Sequence, residues 1–389
     1  MRSAGPPRAS TAPLGLMPAA PSLPAQGGTG SRVVASGIDP YSAAHPRVAL
    51  LGPQGATGYL PVCDHYSGVE ARMVKSLQLQ ADMMQEFGVC VFDVTLDCED
   101  GAPVGGEKDQ AILVVALARQ AQAATNSIAS RIRRRVGVRV HAVDHPAFDG
   151  DVHTIVGQAA DVLSYIMVPK VECLADVQQA VAAIDAAMPA EAGTPALLPV
   201  HVLIESPAAV HRVFEIAAHP RVQSISFGLM DFVSSHGGAI PASAMSVRPA
   251  TDTTSLDQFH HPLVVRAKTE ISSACHAFGK VPSHCVVTEF RDTIALKLAA
   301  RKAASALGFT RMWSIHPDQI RPIVEAFSPS AAEVDLATQI VVQAQAHDWA
   351  PIAVGGQLHD RASFRYFWQV LERAHQTGVA LPQEAAAYF

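Results

Sequence analysis

From residue 46 onward, the chain alternates short apolar runs with longer Ala-rich helical patterns. The short runs are rich in Val, Ile, Tyr and Phe. Most are apolar on both faces, which is typical of parallel strands covered by helices. The helical patterns between them have the length of crossover helices. We predict strands at 59–63, 90–96, 136–140, 165–168, 200–204, 224–227, 281–287 and 312–315, and helices at 69–87, 108–123, 173–187, 207–218, 263–278 and 293–307.

Eight strands alternating with helices favour an α/β chain folded as a (β/α)8 TIM barrel. A doubly wound open sheet is the competing architecture. No GxGxxG motif follows the first strand, which weakens the dinucleotide-binding version of that sheet. We therefore expect a TIM-barrel catalytic domain at 46–330. A C-terminal helical extension at 331–389, with helices at 331–346 and 362–377 around a Gly-Gly loop at 354–360, should pack across the barrel or a neighbouring subunit.

Residues 1–45 are rich in Pro, Ala, Gly and Ser and contain no acidic residue before Asp39. Such a segment buries too little apolar surface to offset its ordering entropy, so we predict a disordered N-terminal extension. Because Arg2, Arg8 and Arg32 stand without acids, a mitochondrial transit peptide is the alternative. The segment lacks the apolar helical periodicity of such a peptide.

Charge and cysteine content narrow the class of protein. The formal net charge is −6, which argues against nucleic-acid binding, since that usually needs a basic surface. No uninterrupted apolar run reaches the length of about 18 residues that a membrane span requires. The six cysteines form no CxxC pair, which indicates a reducing compartment rather than a disulfide scaffold or a zinc ribbon. We expect a cytoplasmic location.

Ionisable residues collect where the predicted strands end. In a barrel these positions share one face, and barrel enzymes keep their active sites there. A solvated loop charge explains any one of them, but the whole set would need many independent coincidences. The residues are Asp97, Glu99, Asp100, Arg139, Lys170, Glu205, Asp231, Glu289 and His316.

Glu205 and Asp231 follow apolar strands, in the sequences HVLIE and SISFGLMD. Both carboxylates are expected at the mouth of the barrel, where they repel each other unless a cation or proton lies between them. Oxygen ligands without a nearby Cys or His pair favour a hard ion, Mg²⁺ or Mn²⁺. Alternatively, each acid pairs with a structural cation, for which Arg139 and Lys170 are available. Spacing alone does not decide between the two.

Arg139 lies in the otherwise apolar sequence VGVRVHAV. A buried guanidinium is costly unless it meets an anion. Arg139 is therefore expected to hold a substrate carboxylate or enolate, or else to form a salt bridge with Asp97 or Glu99. Two roles are open for Lys170, which follows YIMVP. It is either a Schiff-base lysine, as in class I aldolases, or an electrostatic or structural partner.

Seven segments carry a family pattern. They are LDCEDGAPVGGEK (96–108), VRVHAVD (138–144), MVPKVE (167–172), LIESPAAV (203–210), SFGLMDF (226–232), ALGFTRMWSIHPDQIRPIVEAFSPSAAEV (306–334) and VGGQLHDRASF (354–364). Taken in order, the series resembles the citrate lyase β-subunit-like branch of the HpcH/HpaI aldolase family. The resemblance covers about residues 58–375.

The resemblance implies a barrel that assembles as a homotrimer or hexamer and a Mg²⁺-dependent lyase activity on a thioester. It implies that Glu205 and Asp231 ligate the metal and that Arg139 holds the substrate carbonyl or carboxylate. Asp360 would reach a neighbouring subunit's site as acid or base. The other residues placed near the site are Glu99, Asp100 and Lys170 around the metal pair, and Ile315, His316 and Pro317 by the nucleotide end of the coenzyme A site.

The chain also departs from the family pattern. The sequence YLPVCDHYSG (59–68) replaces a Pro-Gly turn with a basic residue close by, and the usual RVN motif reads Arg-Val-His at 139–141. A long insertion at 234–261 follows the second acid, and such a loop normally acts as a lid or selectivity element. The C-terminal segment around Asp360 lacks its usual Pro. The metal pair is intact, while the substrate stays open.

The sequence therefore predicts a Mg²⁺-dependent carbon–carbon lyase. Its substrate would be a 3-hydroxyacyl-CoA or acyl-carrier thioester of the citramalyl, malyl or citryl type, cleaved into or formed from a 2-oxo acid and an acyl thioester. One alternative is a class II aldolase that acts on a free hydroxy-oxo acid. Another is a non-catalytic subunit of a citrate-lyase-like complex.

Overall fold

A computed structural model describes residues 45–52, 60–125, 134–189, 197–247 and 256–389. Within these ranges, eight parallel strands close into a barrel in chain order, which confirms the predicted (β/α)8 TIM barrel. Their bounds are β1 Cys63–Ser67, β2 Phe92–Asp97, β3 Val136–Arg139, β4 Tyr165–Val168, β5 Val200–Ile204, β6 Val222–Phe227, β7 Val281–His284 and β8 Arg311–Ser314. The predicted extension at 1–45 lies almost wholly outside the described residues.

The helices pack their apolar faces on the outside of the barrel. The predicted helix at 207–218 is divided at Arg212 into α6 and α7, and four further helices, α1, α4, α8 and α11, were not predicted. The helix bounds are α1 Pro46–Leu51, α2 Glu70–Phe87, α3 Glu107–Thr125, α4 Phe148–Ala159, α5 Leu174–Ala187, α6 Pro207–His211, α7 Val213–Ala218, α8 Leu229–Ser234, α9 Pro262–Ala277, α10 Thr293–Leu307 and α11 Pro317–Phe327.

The prediction for the first strand, 59–63, was wrong. Strand β1 starts at Cys63, where that prediction ended, and contains the polar residues Asp64 and His65. Both side chains are almost completely buried. Asp64 Oδ2 lies 3.1 Å from Nη2 of Arg311, and His65 lies within 2.9 Å of two serine hydroxyls. A barrel interior accepts polar side chains that find such partners, and apolar patterning alone cannot reveal them.

A buried ionic layer fills the barrel below its mouth. The guanidinium of Arg311 is completely buried and lies 2.7 Å from Asp93 Oδ2 as well as close to Asp64. Above them, the rings of Tyr165 and His201 stack with their centroids 3.8 Å apart. Buried charges are tolerated only when they are paired, so these contacts fix the register of β1, β2 and β8 against one another.

The chain beyond the barrel forms a second apolar cluster. It comprises α12 Ala331–Ala346, α13 Arg361–Gln376, α14 Gln383–Ala386 and a hairpin of β9 Ile352–Val354 and β10 Gln357–His359. The hairpin replaces the predicted loop at 354–360, since Gly355 and Gly356 adopt the positive φ angles of a tight turn. A domain boundary at 330 stays a prediction. None of the helices in the described ranges is long and apolar enough to cross a bilayer, and all six cysteines are free thiols.

Candidate active site at the carboxyl end of the barrel

Glu205 directly follows β5, and its side chain is only 5% exposed. Its Oε2 atom has no hydrogen-bond partner in the described part of the chain. Gly228, at the end of β6, makes room for this side chain, because a Cβ there would lie 2.4 Å from Cγ of Glu205. The glycine therefore lets the carboxylate lie across the end of the neighbouring strand.

Asp231 is the third residue of α8, the short helix that follows β6. It is exposed, whereas Glu205 is buried. Burial, together with the charge of Asp231, raises the pKa of Glu205 to about 8. The structure thus brings the two acids into electrostatic contact, as their positions after β5 and β6 led us to expect. Their role as metal ligands stays a prediction.

Arg139 ends β3 and has 3% of its surface exposed. Its Nε and Nη2 donate to the two carboxylate oxygens of Asp97 at 2.7 and 2.6 Å, and its Nη1 lies 2.8 Å from Glu99 Oε2. Of the two roles left open by the sequence, the structure forms the salt bridge, and with both acids. The remaining Nη protons are available to a ligand oxygen, since a guanidinium carries five N–H donors.

Lys170 follows β4 and adopts a positive φ of 52°. Its ammonium group donates to Glu99 and lies 3.3 Å from Asp100 Oδ2. Burial lowers the pKa of Lys170, but the hydrogen bonds and charges of Glu99 and Asp100 together outweigh that effect, so the pKa lies above its ordinary value. A Schiff base forms from a neutral amine, so this pairing disfavours that role. Glu99 in turn has both oxygens near cations, whereas neither Glu205 nor Asp231 forms an ion pair with a cationic side chain of the described residues.

Tyr66 and Trp313 belong to the site but were not predicted. The guanidinium of Arg139 lies 4.9 Å from the Tyr66 ring centroid, and the rings of Tyr66 and Trp313 are 4.8 Å apart. Burial raises the pKa of Tyr66 to about 12, against the effect of Arg139. The indole Nε1 of Trp313 is buried and finds no acceptor among the described residues. With the first strand placed at Cys63–Ser67, alternation along β1 would have pointed Tyr66 into the barrel.

The three residues expected near the nucleotide end of a coenzyme A site have local structural roles. Ile315 packs against the apolar side chains at the barrel mouth. His316 caps α11, with Nδ1 accepting from the backbone N–H of Asp318 at 3.2 Å, and Pro317 is the first residue of that helix. Contact with coenzyme A stays a prediction for all three.

Asp360 is the N-cap of α13 and is exposed. Its carboxylate accepts from the backbone N–H groups of Ala362 and Ser363, at 2.9 and 3.3 Å. Within the described chain these contacts stay in the first turn of α13. The structure therefore does not join Asp360 to Glu205 or Asp231. Its action in a neighbouring subunit stays a prediction.

Within the insertion at 234–261, residues 248–255 lie outside the described residues. The described parts before and after them form hydrogen bonds with other parts of the barrel domain. On one side, Glu289 Oε1 accepts from the hydroxyl of Ser246 at 2.6 Å and from the N–H of Val247 at 3.2 Å. On the other, Lys268 donates to the Gln258 side chain at 2.7 Å. The role of the insertion as a lid or selectivity element stays a prediction.

The donor set at the barrel mouth fits a hard divalent cation that also binds substrate and water. The described ranges contain no group of three or more His, Cys, Asp or Glu side chains arranged around a metal position. Glu205 and Asp231 supply carboxylate oxygens, one of which is buried without a partner. Magnesium commonly takes one or two protein carboxylates and completes its shell with water and substrate oxygens.

The buried carboxyl of Glu205 links the stability of metal-free protein to pH. Because its pKa rises from 4.5 to about 8, its stabilising contribution is complete below pH 4.5 and is lost as the pH rises through 8. The free energy of unfolding of EDTA-treated protein should therefore fall by ~2–4 kcal/mol from this group between about pH 5 and pH 8. Unfolding midpoints across that range measure the fall.

Glu205→Gln is the control, because an amide stays neutral over the whole range. We expect the free energy of unfolding of the variant to decrease much less over this pH range. Without metal, the variant should be more stable than the parent protein near pH 8. Added Mg²⁺ should stabilise the parent protein there and leave the variant unchanged. If the free energies of unfolding of the two EDTA-treated proteins changed with pH in the same way, this would contradict the conclusion that Glu205 is a buried carboxyl with a raised pKa.

Comparison with known proteins gives a consistent set of relatives. The model of the HpcH/HpaI aldolase/citrate lyase family matches residues 76–317. The L-malyl-CoA/beta-methylmalyl-CoA lyase of Cereibacter sphaeroides is 32% identical over 252 residues, which cover 62% of this chain and 77% of that protein. The malyl-CoA/beta-methylmalyl-CoA/citramalyl-CoA lyase of Chloroflexus aurantiacus is 27% identical over 270 residues, which cover 64% and 74%.

Two solved structures have similar folds. A citrate lyase from Burkholderia xenovorans LB400 is 47% identical, with a TM-score of 0.69, and the match covers 89% of this chain and 99% of that one. The protein CitE from Mycobacterium tuberculosis, crystallised with magnesium, acetoacetate and coenzyme A, is 20% identical with a TM-score of 0.55. That match covers 81% of this chain and 98% of the other, and at this identity it shows the fold alone.

Proposed function

The chain belongs to the HpcH/HpaI aldolase/citrate lyase family and is a carbon–carbon lyase, and from this premise we propose a Mg²⁺-dependent reaction on a 3-hydroxyacyl thioester. The enzyme would cleave the thioester into a 2-oxo acid and an acyl thioester, or run the reverse reaction. The observation that carries the proposal is the Glu205–Asp231 pair, in which a buried carboxylate oxygen has no partner.

The other charged groups at the mouth support this assignment of the pair. Arg139 is neutralised by Asp97 and Glu99, and Lys170 by Glu99 and Asp100. No described cation is thus paired with the Glu205 carboxylate. We propose that Glu205 and Asp231 hold Mg²⁺, with Mn²⁺ as a substitute of the same ligand preference.

When bound, the ion supplies Lewis-acid polarisation of the oxygen that becomes the 2-oxo acid carbonyl. The chain's own groups handle the rest of the charge. Cleavage leaves a thioester enolate, and the free Nη protons of Arg139 are placed to stabilise it, a contribution of ~3 kcal/mol for donors of this kind. Asp97 and Tyr66 hold the guanidinium in place. Protonation of the enolate carbon is assigned either to Asp360 of a neighbouring subunit, which needs a homotrimer or hexamer, or to water.

The substrate class follows from the names of the relatives, which are lyases of malyl-CoA, beta-methylmalyl-CoA and citramalyl-CoA. We propose a coenzyme A thioester of the malyl, citramalyl or citryl type, with Ile315, His316 and Pro317 near its nucleotide. An acyl-carrier thioester is the variant of the same chemistry. A class II aldolase on a free hydroxy-oxo acid and a non-catalytic subunit are the competing functions.

A panel assay of the purified full-length chain separates these functions. Citramalyl-, malyl- and citryl-CoA are offered with Mg²⁺, and release of pyruvate, glyoxylate or oxaloacetate is followed. We expect turnover of at least one thioester that stops in EDTA and returns with Mg²⁺. Turnover of the free hydroxy-oxo acids alone would support the class II aldolase. Turnover of an acyl-carrier thioester alone would identify the carrier variant, and none at all would overturn the proposal.

A further inference from the structure

After β3, at the same end of the barrel as the acid pair, lies a histidine–aspartate pair that the proposed reaction has not used. His141 stands two residues after Arg139, in the sequence Arg-Val-His at 139–141. Its Nδ1 lies 2.6 Å from Oδ2 of Asp151 on α4, and the same oxygen accepts from the backbone N–H of His141 at 3.1 Å. Asp151 is 2% exposed, so the imidazole is held by a buried carboxylate.

The other ring nitrogen of His141 faces open space. A cavity of about 390 Å³ is lined by His141, Glu99 and Lys170, among others. Nε2 makes no hydrogen bond to any described residue and is not among the fully buried polar atoms that lack a partner, so it keeps some accessible surface on a residue that lines the cavity. Glu99 also contacts Arg139, so the cavity adjoins the site of the proposed reaction.

Several titratable residues lie near the imidazole of His141, on different elements of the structure. His145 stacks on His141 with the centroids 4.3 Å apart, and Glu107 at the start of α3 interacts electrostatically with it. The other titratable residues that line the cavity are Cys98, Glu99, Asp100, Asp144 and Lys170. Asp151 hydrogen-bonds the ring, so it fixes the ring orientation.

We propose that His141 is a further catalytic residue, the base that takes the hydroxyl proton of the 3-hydroxyacyl thioester. The O–H bond breaks, its electron pair forms the carbonyl of the 2-oxo acid, and the carbon–carbon bond pair becomes the thioester enolate. The proton passes to Nε2 and from there to bulk water, while the enolate carbon receives its proton as described above. No oxidant, reductant or other co-reactant is needed. The inference rests on the proposed function.

His141→Asn tests the base, because Asn retains a donor toward Asp151 but does not titrate near neutral pH. We expect kcat/KM to fall by about 10²-fold or more, and its pH profile to lose the limb that an imidazole contributes. Asp151→Asn should lower kcat/KM while keeping that limb. His153→Asn is the matched control. His153 is an exposed histidine on α4, the helix that carries Asp151, so kcat/KM and its pH profile should equal those of the parent enzyme.

A second measurement does not depend on turnover. The imidazole Cε1–H resonance of His141, assigned with His141→Asn, should shift when Mg²⁺ and the 2-oxo acid product are added to the parent protein. A parental pH profile in His141→Asn, with an unmoved resonance, would overturn the inference and leave the lyase function standing. If the parent protein cleaves no substrate of the panel, both fall together. A lower unfolding midpoint with an unchanged pH profile would assign His141 a structural role only and overturn the proposal.

Discussion

Glu205→Gln and Asp231→Asn are each expected to lower kcat/KM for the thioester by about 10³-fold or more. The ion they would hold stabilises several kcal/mol of developing charge, and each ~1.4 kcal/mol of lost stabilisation costs tenfold in rate. Both replacements preserve side-chain volume, so the fold should persist. Steady-state kinetics with varied Mg²⁺ measures the loss, and calorimetric titration with Mg²⁺ should show weaker binding in each variant.

Glu215→Gln provides the matched control. Glu215 lies on α7, the second short helix after β5, and is exposed, so the same chemical change there should leave kcat/KM and Mg²⁺ affinity at the parent values. Parent-like kinetics in Glu205→Gln would contradict the role of the acid pair. Full activity of EDTA-treated parent protein would contradict the metal requirement itself.

The barrel could be predicted because its strands are covered on both sides and therefore read as apolar runs. The predicted bounds of β4 and β5 coincide with the observed Tyr165–Val168 and Val200–Ile204, and α10 and α12 also begin and end where predicted. β1 was missed because its buried positions carry the polar residues Asp64 and His65, which are satisfied by partners on other elements. Apolar periodicity carries no information about such partners.

At the site, the placement of charges could be predicted but their pairing could not. Glu205 and Asp231 follow neighbouring strands, and the carboxyl ends of parallel strands meet at one face. The choice between an anion-binding and an ion-paired Arg139 depended on the strand register, which sets Asp97 directly opposite Arg139. Tyr66 was hidden by the misplaced first strand. The short helix α4, which carries Asp151, was not predicted, so the partner of His141 was missed.

Arg311→Met should be the most destabilising single replacement in the barrel interior. The guanidinium is completely buried, with Asp93 Oδ2 at 2.7 Å and Asp64 Oδ2 at 3.1 Å. Its removal leaves Asp64 without a cation, and Asp93 keeps only Arg135, whose Nε lies 2.8 Å away. Breaking a buried pair from one side costs about 3–5 kcal/mol, because the uncompensated charge stays buried. Chemical-denaturation midpoints measure the loss.

Arg321→Met removes an equally well-formed pair at the surface. Arg321 donates to both oxygens of Glu86 at 2.8 and 2.6 Å, but both side chains are about half exposed, so the loss of stability should be much smaller than in Arg311→Met. The two variants thus separate the effect of burial from that of losing an Arg–carboxylate contact. The deficit of Arg311→Met should also shrink as the pH is lowered, since Asp64 can then take up a proton and its pKa is already raised by burial. Equal losses in the two variants would show that the ionic layer inside the barrel is hydrated and does not fix the strand register.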